Sequence, residues 1–311
     1  MLSRRNIRVK VMQALYSFYT TEGLSKEEVL SYYDDTIKSS YNLLYYQLYL
    51  MVKIAEHSKD DVIKRQAKLL PSEFDKAFTA KFYENPLTQT IAANKELQKI
   101  ALKYQFEEKT PEDFTRKLYK TLSLTPEYAA YVSGEGSGEE DQQIMLFLFK
   151  ELCKQEFYND TIEDIFFNWL DDQSIIIGTV KKIIKDFKTS KEISEEYGPS
   201  DEAINEFGRE MLKYVLVNNE SLEKTLGPLI DNWDIERVAF IDMILIKMSV
   251  AEMLIFPTIP TKVSINEYVE LTKAYSTDKS KDFVNGILDK ALHTLSESKR
   301  SVNQEEVYWI K

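Results

Sequence analysis

Residues that break helices are scarce in this chain, and no other feature restricts its fold as strongly. The 311 residues include nine glycines and eight prolines, and three of the glycines, Gly134, Gly136 and Gly138, stand together. Turns between short strands commonly use these two residue types, so little room is left for a hairpin-rich β-fold. Strand-like alternation of apolar and polar residues persists over no more than a few positions. The sequence therefore predicts an all-α protein.

Apolar residues at helical spacing identify the first and the last helix. They recur three or four positions apart, which is the period of one helix face. They are Ile7, Val11, Ala14, Leu15 and Phe18 in the first helix, and Phe283, Ile287, Ala291 and Leu295 in the last. Packing of one face against a core is the simplest explanation for both stripes.

The segment Ser264-Ile265-Asn266-Glu267 has the pattern of a capping box. In this motif the serine hydroxyl and the glutamate each satisfy a free amide group at the start of a helix. The pattern predicts a helix that begins at Ser264 and runs to about Tyr275, with a further helix starting near Ser280. Simple capping and core packing would account for all of these residues.

Cysteine content and apolar patterning indicate the compartment. The single cysteine, Cys153, can form neither an internal disulfide nor a thiolate zinc cluster, which favours a reducing cytoplasm. The first residues lack the apolar core and cleavage site of a signal peptide, and apolar runs such as 241–246 are too short to cross a membrane. We expect a soluble cytoplasmic protein with no membrane partner.

The motifs of common enzymes and metal sites are missing from the sequence. It contains no phosphate-binding glycine loop, His-Glu-x-x-His, Cys-x-x-Cys or Gly-x-Ser-x-Gly pattern. His57 and His293 lie far apart in the chain, and Cys153 is expected to be a small buried hydrophobe on a helix. We therefore expect no catalytic residue, no metal ligand and no cofactor.

Charge is distributed unevenly along the chain. The net charge of −11 argues against binding of nucleic acid by bulk charge, but residues 1–20 contain Arg4, Arg5, Arg8 and Lys10 and no acidic residue. Arginines at a helix start can form bidentate contacts with phosphate or guanine. A solvated helix start is the alternative that the residues leave open.

Several segments near the two ends of the chain form a recognisable set. They are Arg4 to Arg8, Met12 to Ser17, Trp233 to Arg237, Ile241 to Glu252, Ile259 to Glu267, and Asp282 to Asp289. The pattern Pro-x-Lys-Val-x-Ile-Asn-Glu followed by Phe-Val-Asn-Gly-Ile-Leu-Asp is highly specific. The set resembles the NusB transcription antitermination family over about residues 1–20 and 203–295.

The resemblance implies an all-α, NusB-like helical bundle of two subdomains with no active site. Typical members of the family are less than half as long as this chain, so it resembles a long form with a large helical insertion, as in Bacteroidetes-type bacteria. The implied domains are a first helix with a basic RNA-binding start (1–24), an insertion with a flexible loop near 133–141 (25–200), a C-terminal helical domain (201–296) and a tail (297–311).

The resemblance also implies a function and its RNA-binding residues. NusB-like proteins bind boxA-type single-stranded RNA of ribosomal RNA leaders together with NusE, a small-subunit ribosomal protein, and help RNA polymerase to pass terminators. Arg4, Arg5 and Arg8 match the family's RNA-binding positions, and Phe283 matches a residue near the RNA. An exposed phenylalanine there could stack on an unpaired base, although core packing would explain it equally well.

Protein partners follow from the same resemblance. Tyr16 and Asp242 match positions that the family directs towards NusE, and the expected larger assembly is the antitermination complex of RNA polymerase. Some members dimerise through the RNA-binding region, so a homodimer is left open.

The sequence departs from the family pattern at three positions, and it leaves two other functions to consider. Asn6 replaces a basic residue, Lys247 replaces an arginine, and Ala251 replaces a tyrosine. The main alternative is a helical interaction scaffold that has lost RNA binding. An RNA methyltransferase, to which NusB-like domains can be fused, is disfavoured because no glycine-rich cofactor loop follows the last motif.

Overall fold

The computed structural model describes residues 2–134, 138–186, 193–198, 200–230, 239–277 and 279–308, with side chains up to residue 295. Throughout these ranges every regular element is a helix, which confirms the predicted all-α fold. In chain order the helices are α1 (Arg4–Thr20), α2 (Lys26–Gln66), α3 (Glu73–Ala77), α4 (Lys81–Glu84), α5 (Pro86–Ala92), α6 (Lys95–Lys103), α7 (Phe106–Lys109), α8 (Glu112–Ser123), α9 (Pro126–Ser133), α10 (Gly138–Cys153), α11 (Glu156–Ile165), α12 (Trp169–Asp186), α13 (Ile193–Tyr197), a π-helix (Glu202–Arg209), α14 (Glu210–Val217), α15 (Asn219–Ile230), α16 (Phe240–Ile255), α17 (Thr261–Tyr275) and α18 (Ser280–Tyr308).

The chain forms two compact units. The middle unit comprises residues Thr36–Gly198, and the terminal unit comprises Leu2–Asp35 together with Pro199–Lys311. The first ten residues of α2 therefore belong to the terminal unit and the rest of α2 to the middle unit. The predicted boundaries at residues 24 and 200 remain a prediction.

The middle unit has a core rich in aromatic residues. The Tyr46 ring of α2 is fully buried and lies 5.2 Å from the ring of Phe106 and 5.1 Å from that of Phe166. Trp169, also fully buried, makes an edge-to-face contact with Tyr158. Edge-to-face contacts add to the stabilisation that burial of such large rings gives by itself. The dense apolar and aromatic stretch of α2 thus contributes a large part of the core of this unit.

The terminal unit is built around α16. This helix contacts α1, α14, α17 and α18, and its residues from Ile244 to Glu252 are buried. A helix that is apolar around most of its circumference is stable only when neighbours cover every side. The same helix carries the buried polar residues Asp242, Lys247 and Glu252, whose burial costs free energy unless they are hydrogen-bonded.

Close packing of the π-helix against α1 and α2 depends on one glycine. A Cβ atom at Gly208 would lie 2.0 Å from the Tyr33 hydroxyl and 2.4 Å from Cγ2 of Ile7. The absent side chain lets the Tyr33 hydroxyl donate a hydrogen bond to the Ile204 carbonyl, at 2.9 Å.

The predicted capping box at Ser264 is wrong. Helix α17 begins at Thr261, after Pro260, so Ser264 lies inside the first turn and its hydroxyl donates to Glu252 at 2.7 Å. Proline suits the start of a helix because it needs no amide partner, and the buried carboxylate draws the serine hydroxyl inward. The predicted end at Tyr275 and the new start at Ser280 are confirmed.

Other expectations fall partly outside the described residues. The predicted loop near 133–141 lies partly outside the described ranges: α9 ends at Ser133, α10 begins at Gly138, and residues 135–137 are not described. The motif Trp233 to Arg237 also lies outside them, as do the side chains of the tail. Within the described ranges, no helix is both long enough and apolar enough for a bilayer crossing.

Candidate functional site

The start of α1 is held by a capping box that the sequence analysis missed. The Ser3 hydroxyl accepts from the Asn6 amide at 3.5 Å, and the Asn6 side-chain oxygen accepts from the Ser3 amide at 3.2 Å. Asn6, at a position where the family has a basic residue, therefore fixes the helix start. This turn contains no acidic residue but carries Arg4 and Arg5, both exposed. Positive side chains at the positive end of a helix dipole are unfavourable, by about 0.3–1 kcal/mol each, unless an anion compensates them.

Arg4 lies between a carboxylate and an aromatic ring. Its Nη2 donates to Oε1 of Glu202 at 2.7 Å, and its guanidinium lies 5.6 Å from the centre of the Phe207 ring. The side chains of Arg4 and Glu202 are 47% and 61% exposed. Arg5, the second exposed arginine, helps to lower the pKa of Glu270, although the hydrogen bond from Lys273 is the main cause.

Arg8 is the centre of a buried ionic network. Its Nε and Nη2 donate to the two oxygens of Glu252 at 2.8 and 2.7 Å, and Nη1 lies 3.4 Å from Glu267. Each Glu252 oxygen accepts a second hydrogen bond, from the hydroxyls of Ser264 at 2.7 Å and Tyr268 at 2.9 Å. Burial by itself would lower the pKa of Arg8, but the hydrogen bond and charge of Glu252 outweigh it and raise the pKa.

This network changes the role expected for Arg8. The residue is only 3% exposed, and carboxylates bind both edges of its guanidinium. The guanidinium is therefore not accessible to an RNA phosphate in this structure. Lys10 is buried as well. The exposed positive charge at the start of α1 is therefore reduced to Arg4 and Arg5, and the RNA contact predicted for Arg8 stays untested.

Phe283 is also buried. It is 8% exposed and lies on α18 beside the fully buried Val284 and Ile287. A ring that stacks on a base must present one face to solvent. The position of Phe283 fits the core-packing explanation that the sequence left open, and its predicted contact with RNA is likewise untested.

Tyr16 belongs to an exposed aromatic patch. We use this term for Tyr16, Tyr19 and Phe240; Tyr16 and Phe240 are each 47% exposed. The Phe240 ring lies 5.7 Å from that of Tyr16 and 6.1 Å from that of Tyr19, both edge to face. Tyr19, the third member, is half-buried, and burial raises the pKa of its hydroxyl to about 12. Contiguous exposed aromatic rings are typical of protein interfaces.

Asp242 lies beneath the surface rather than on it. It is 1% exposed, and its Oδ1 has no hydrogen-bond partner in the part of the chain that the structure describes. The contact with a protein partner predicted for Asp242 stays untested. Lys247, by contrast, is satisfied: its Nζ donates to Glu223 at 2.7 Å and to Asn219 at 2.8 Å.

The described residues support neither a metal site nor a nucleophilic cysteine. They contain no group of three or more His, Cys, Asp and Glu side chains that could hold a metal ion. His57, in the middle unit, shares a 2.8 Å hydrogen bond with Thr115. Burial raises the pKa of Cys153 to about 11, so its reactive thiolate form is rare at neutral pH.

Two residues of the site escaped the sequence analysis. Glu202 gave no signal, because nothing in the sequence brings it to Arg4, 198 positions away. Phe240 immediately precedes the motif at Ile241 and could have been found as an apolar residue at the exposed start of a helix.

Comparison with known proteins supplies the context for this geometry. A model described as the NusB family matches residues 163–293, which begins well before the predicted boundary at 200. Similar proteins include "Transcription antitermination protein NusB" of Chloroherpeton thalassium, 41% identical over 102 residues, which are 33% of this chain and 48% of that protein. The protein of that name from Salinibacter ruber is 36% identical over 100 residues, 32% of this chain and 62% of the relative.

A further relative is matched over more of its length. "Transcription antitermination protein NusB" of Methylacidiphilum infernorum is 37% identical over 97 residues, 31% of this chain and 68% of the relative. The chain spans about half to two thirds of the length of these relatives. No solved structure matches it.

Proposed function

The chain belongs to the NusB family, and from this premise we propose that it is a transcription antitermination factor that binds boxA-type single-stranded RNA together with NusE. The observation that carries the proposal is the exposed pair Arg4 and Arg5 at the start of α1. There the helix dipole and the absence of acidic residues in the first turn both favour a bound anion.

The proposed RNA contacts are electrostatic. Guanidinium groups bind phosphate in a bidentate geometry that lysine cannot reproduce, and each neutralised phosphate releases counterions. Because the whole chain carries a net charge of −11, the attraction must be local to Arg4 and Arg5. Arg8 has a positioning role in this proposal, since its network with Glu252 attaches α1 to α16.

The aromatic patch is the proposed surface for NusE. Tyr16 is the residue through which the resemblance points to this partner, and the structure adds Tyr19 and Phe240 beside it. Asp242, the other residue that the resemblance directs towards NusE, is buried two positions after Phe240 on the same helix. Two surfaces, one for RNA and one for protein, would let each partner strengthen the binding of the other through simultaneous contacts.

The complex would act with RNA polymerase at the terminators of ribosomal RNA operons, and the chain itself would perform no catalysis. The helical scaffold without RNA binding is the second candidate. It is favoured by the burial of Arg8 and Phe283, which leaves fewer groups for RNA than the resemblance implies.

Fluorescence anisotropy of a labelled boxA-type RNA, with and without NusE, tests the proposal. We expect specific binding that NusE strengthens, and a large loss of affinity in Arg4→Ala/Arg5→Ala. Arg116→Ala, which removes an exposed arginine from the middle unit, is the matched control and should bind like the unchanged protein. Binding of NusE without any RNA signal would favour the scaffold.

A further inference from the structure

The carboxylate of Glu202 is paired with the guanidinium of Arg4, the group that the proposed function assigns to RNA binding. Resting on that function, we propose that Glu202 competes with RNA phosphate for Arg4 and so determines how tightly the protein binds RNA. The 2.7 Å contact between Nη2 of Arg4 and Oε1 of Glu202 uses a donor that a phosphate oxygen would need. Glu202 also places a negative charge where the RNA backbone would approach.

The π-helix brings the two contacts of Arg4 together. Glu202 and Phe207 are five positions apart, and in an α-helix such residues point in directions about 140° apart. Hydrogen bonds in a π-helix run from residue i to i+5, so residues five apart lie one above the other on nearly the same face. Glu202 and Phe207 can therefore both contact Arg4. Such helices are rare and occur frequently at functional sites.

Arg4 can exchange one anion for another without losing its position. The Arg4–Glu202 pair is exposed to solvent, and exposed pairs are weak enough for a phosphate to displace the carboxylate. The Phe207 ring, beneath Arg4, is itself buried and held by Arg8, at 5.2 Å, and by the Phe256 ring, at 5.0 Å. The cation–π contact should therefore keep the Arg4 guanidinium in place while its anionic partner changes.

Removal of the Glu202 charge tests the competition. In Glu202→Gln we expect the affinity for boxA-type RNA at low salt to rise roughly two- to five-fold, the range of an exposed ion pair. The gain should shrink as the salt concentration rises, because added ions screen the exposed Arg4–Glu202 pair. Glu206→Gln removes the same charge from an exposed position of the same π-helix and is the matched control.

A double-mutant cycle separates competition from general repulsion. If Glu202 acts mainly through Arg4, Glu202→Gln should raise RNA affinity much less in an Arg4→Gln background than in the unchanged protein. An equal gain in both backgrounds, or the same gain in Glu206→Gln, would show that Glu202 only adds negative charge, and would overturn the proposal.

A second titration keeps this proposal distinct from the proposed function. Inorganic pyrophosphate is titrated while the Nε–Hε signal of Arg4 is followed by NMR, with Arg4→Gln identifying the signal. We expect tighter binding in Glu202→Gln than in the unchanged protein, whether or not RNA binds. Absence of RNA binding would refute only the proposed function, whereas equal pyrophosphate affinities would refute competition by Glu202.

Discussion

At the scale of single residues, Arg8 was predicted from the sequence to bind RNA, but in the fold it forms a buried ion pair with Glu252. The two side chains are buried, and the hydroxyls of Ser264 and Tyr268 complete the hydrogen bonding of the carboxylate. Breaking such a pair leaves a charge without its partner in a region from which water is excluded. The network attaches α1 to α16 and α17, and thus supports the exposed Arg4 and Arg5.

We predict that Arg8→Leu lowers the free energy of unfolding by roughly 3–5 kcal/mol, because Glu252 would remain buried without its cation. Urea denaturation followed by circular dichroism measures the loss. Arg5→Ala, at the exposed neighbouring position, should change stability by no more than about 0.5 kcal/mol. A similar small change in both variants would show that the buried pair does not anchor α1.

A pH-dependent contribution to stability is expected from His57. Burial is the main cause that lowers its pKa below the ordinary value of 6.5, and Arg116 adds to it, while Asp60 opposes it. In the interval between the folded pKa and 6.5, the unfolded chain binds more protons than the folded chain. The free energy of unfolding should therefore decrease as the pH falls through this interval.

The contribution of His57 can be isolated by comparing urea denaturation at pH 7.5 and 5.5 in His57→Gln and the unchanged protein. His57→Gln should lose less stability on acidification than the unchanged protein, since the titrating group is gone. Identical pH dependence in the two proteins would contradict the predicted role.

At the scale of elements, the start of α17 shows where a local motif and the tertiary structure disagree. The capping-box pattern at Ser264 is present, but the buried Glu252 on α16 takes the serine hydroxyl. A hydrogen bond to a buried carboxylate is stronger than one to an exposed amide, because the carboxylate has no water to replace it. The helix begins three residues earlier, after Pro260, and Ser264 lies inside its first turn.

We predict that Gly208→Ala destabilises the terminal unit by roughly 1–3 kcal/mol, the range for overpacking in a core. The added methyl group would overlap the Tyr33 hydroxyl and Ile7, so the π-helix would have to move. Gly178→Ala is the control, since a Cβ there meets nothing within 4 Å and alanine favours the helix interior. Thermal denaturation should show a lower melting temperature only for Gly208→Ala, and an unchanged value would contradict the close approach.

At the scale of the whole molecule, the chain forms two compact units, and we predict that they respond separately to core mutations. Trp169→Ala should lower the stability of the middle unit by about 3–5 kcal/mol, and Leu245→Ala that of the terminal unit by about 2–5 kcal/mol. Differential scanning calorimetry should show each variant shifting a different part of the unfolding transition. An equal shift of one single transition in both variants would show that the units unfold together.

The helical fold class and the family could be predicted from the sequence, because both depend on local composition, periodicity and short motifs. Few glycines and prolines and a 3.6-residue apolar period are sufficient for helices, and the stripe around Ile7 and Val11 is buried as expected. The paired motifs at Ile259 to Glu267 and Asp282 to Asp289 identified the family. These properties do not require knowledge of which helices meet.

Only the tertiary structure decided which charges of α1 face solvent. The sequence treats Arg4, Arg5 and Arg8 alike, yet Arg8 turns inward to Glu252, which is 244 positions away, and Arg4 meets Glu202 on a π-helix. Burial of a charge is favourable only when a distant partner arrives with the right geometry, and helix periodicity carries no information about that partner. The physical reason is that composition and periodicity act over a few residues, whereas burial and ion pairing depend on contacts across the whole fold.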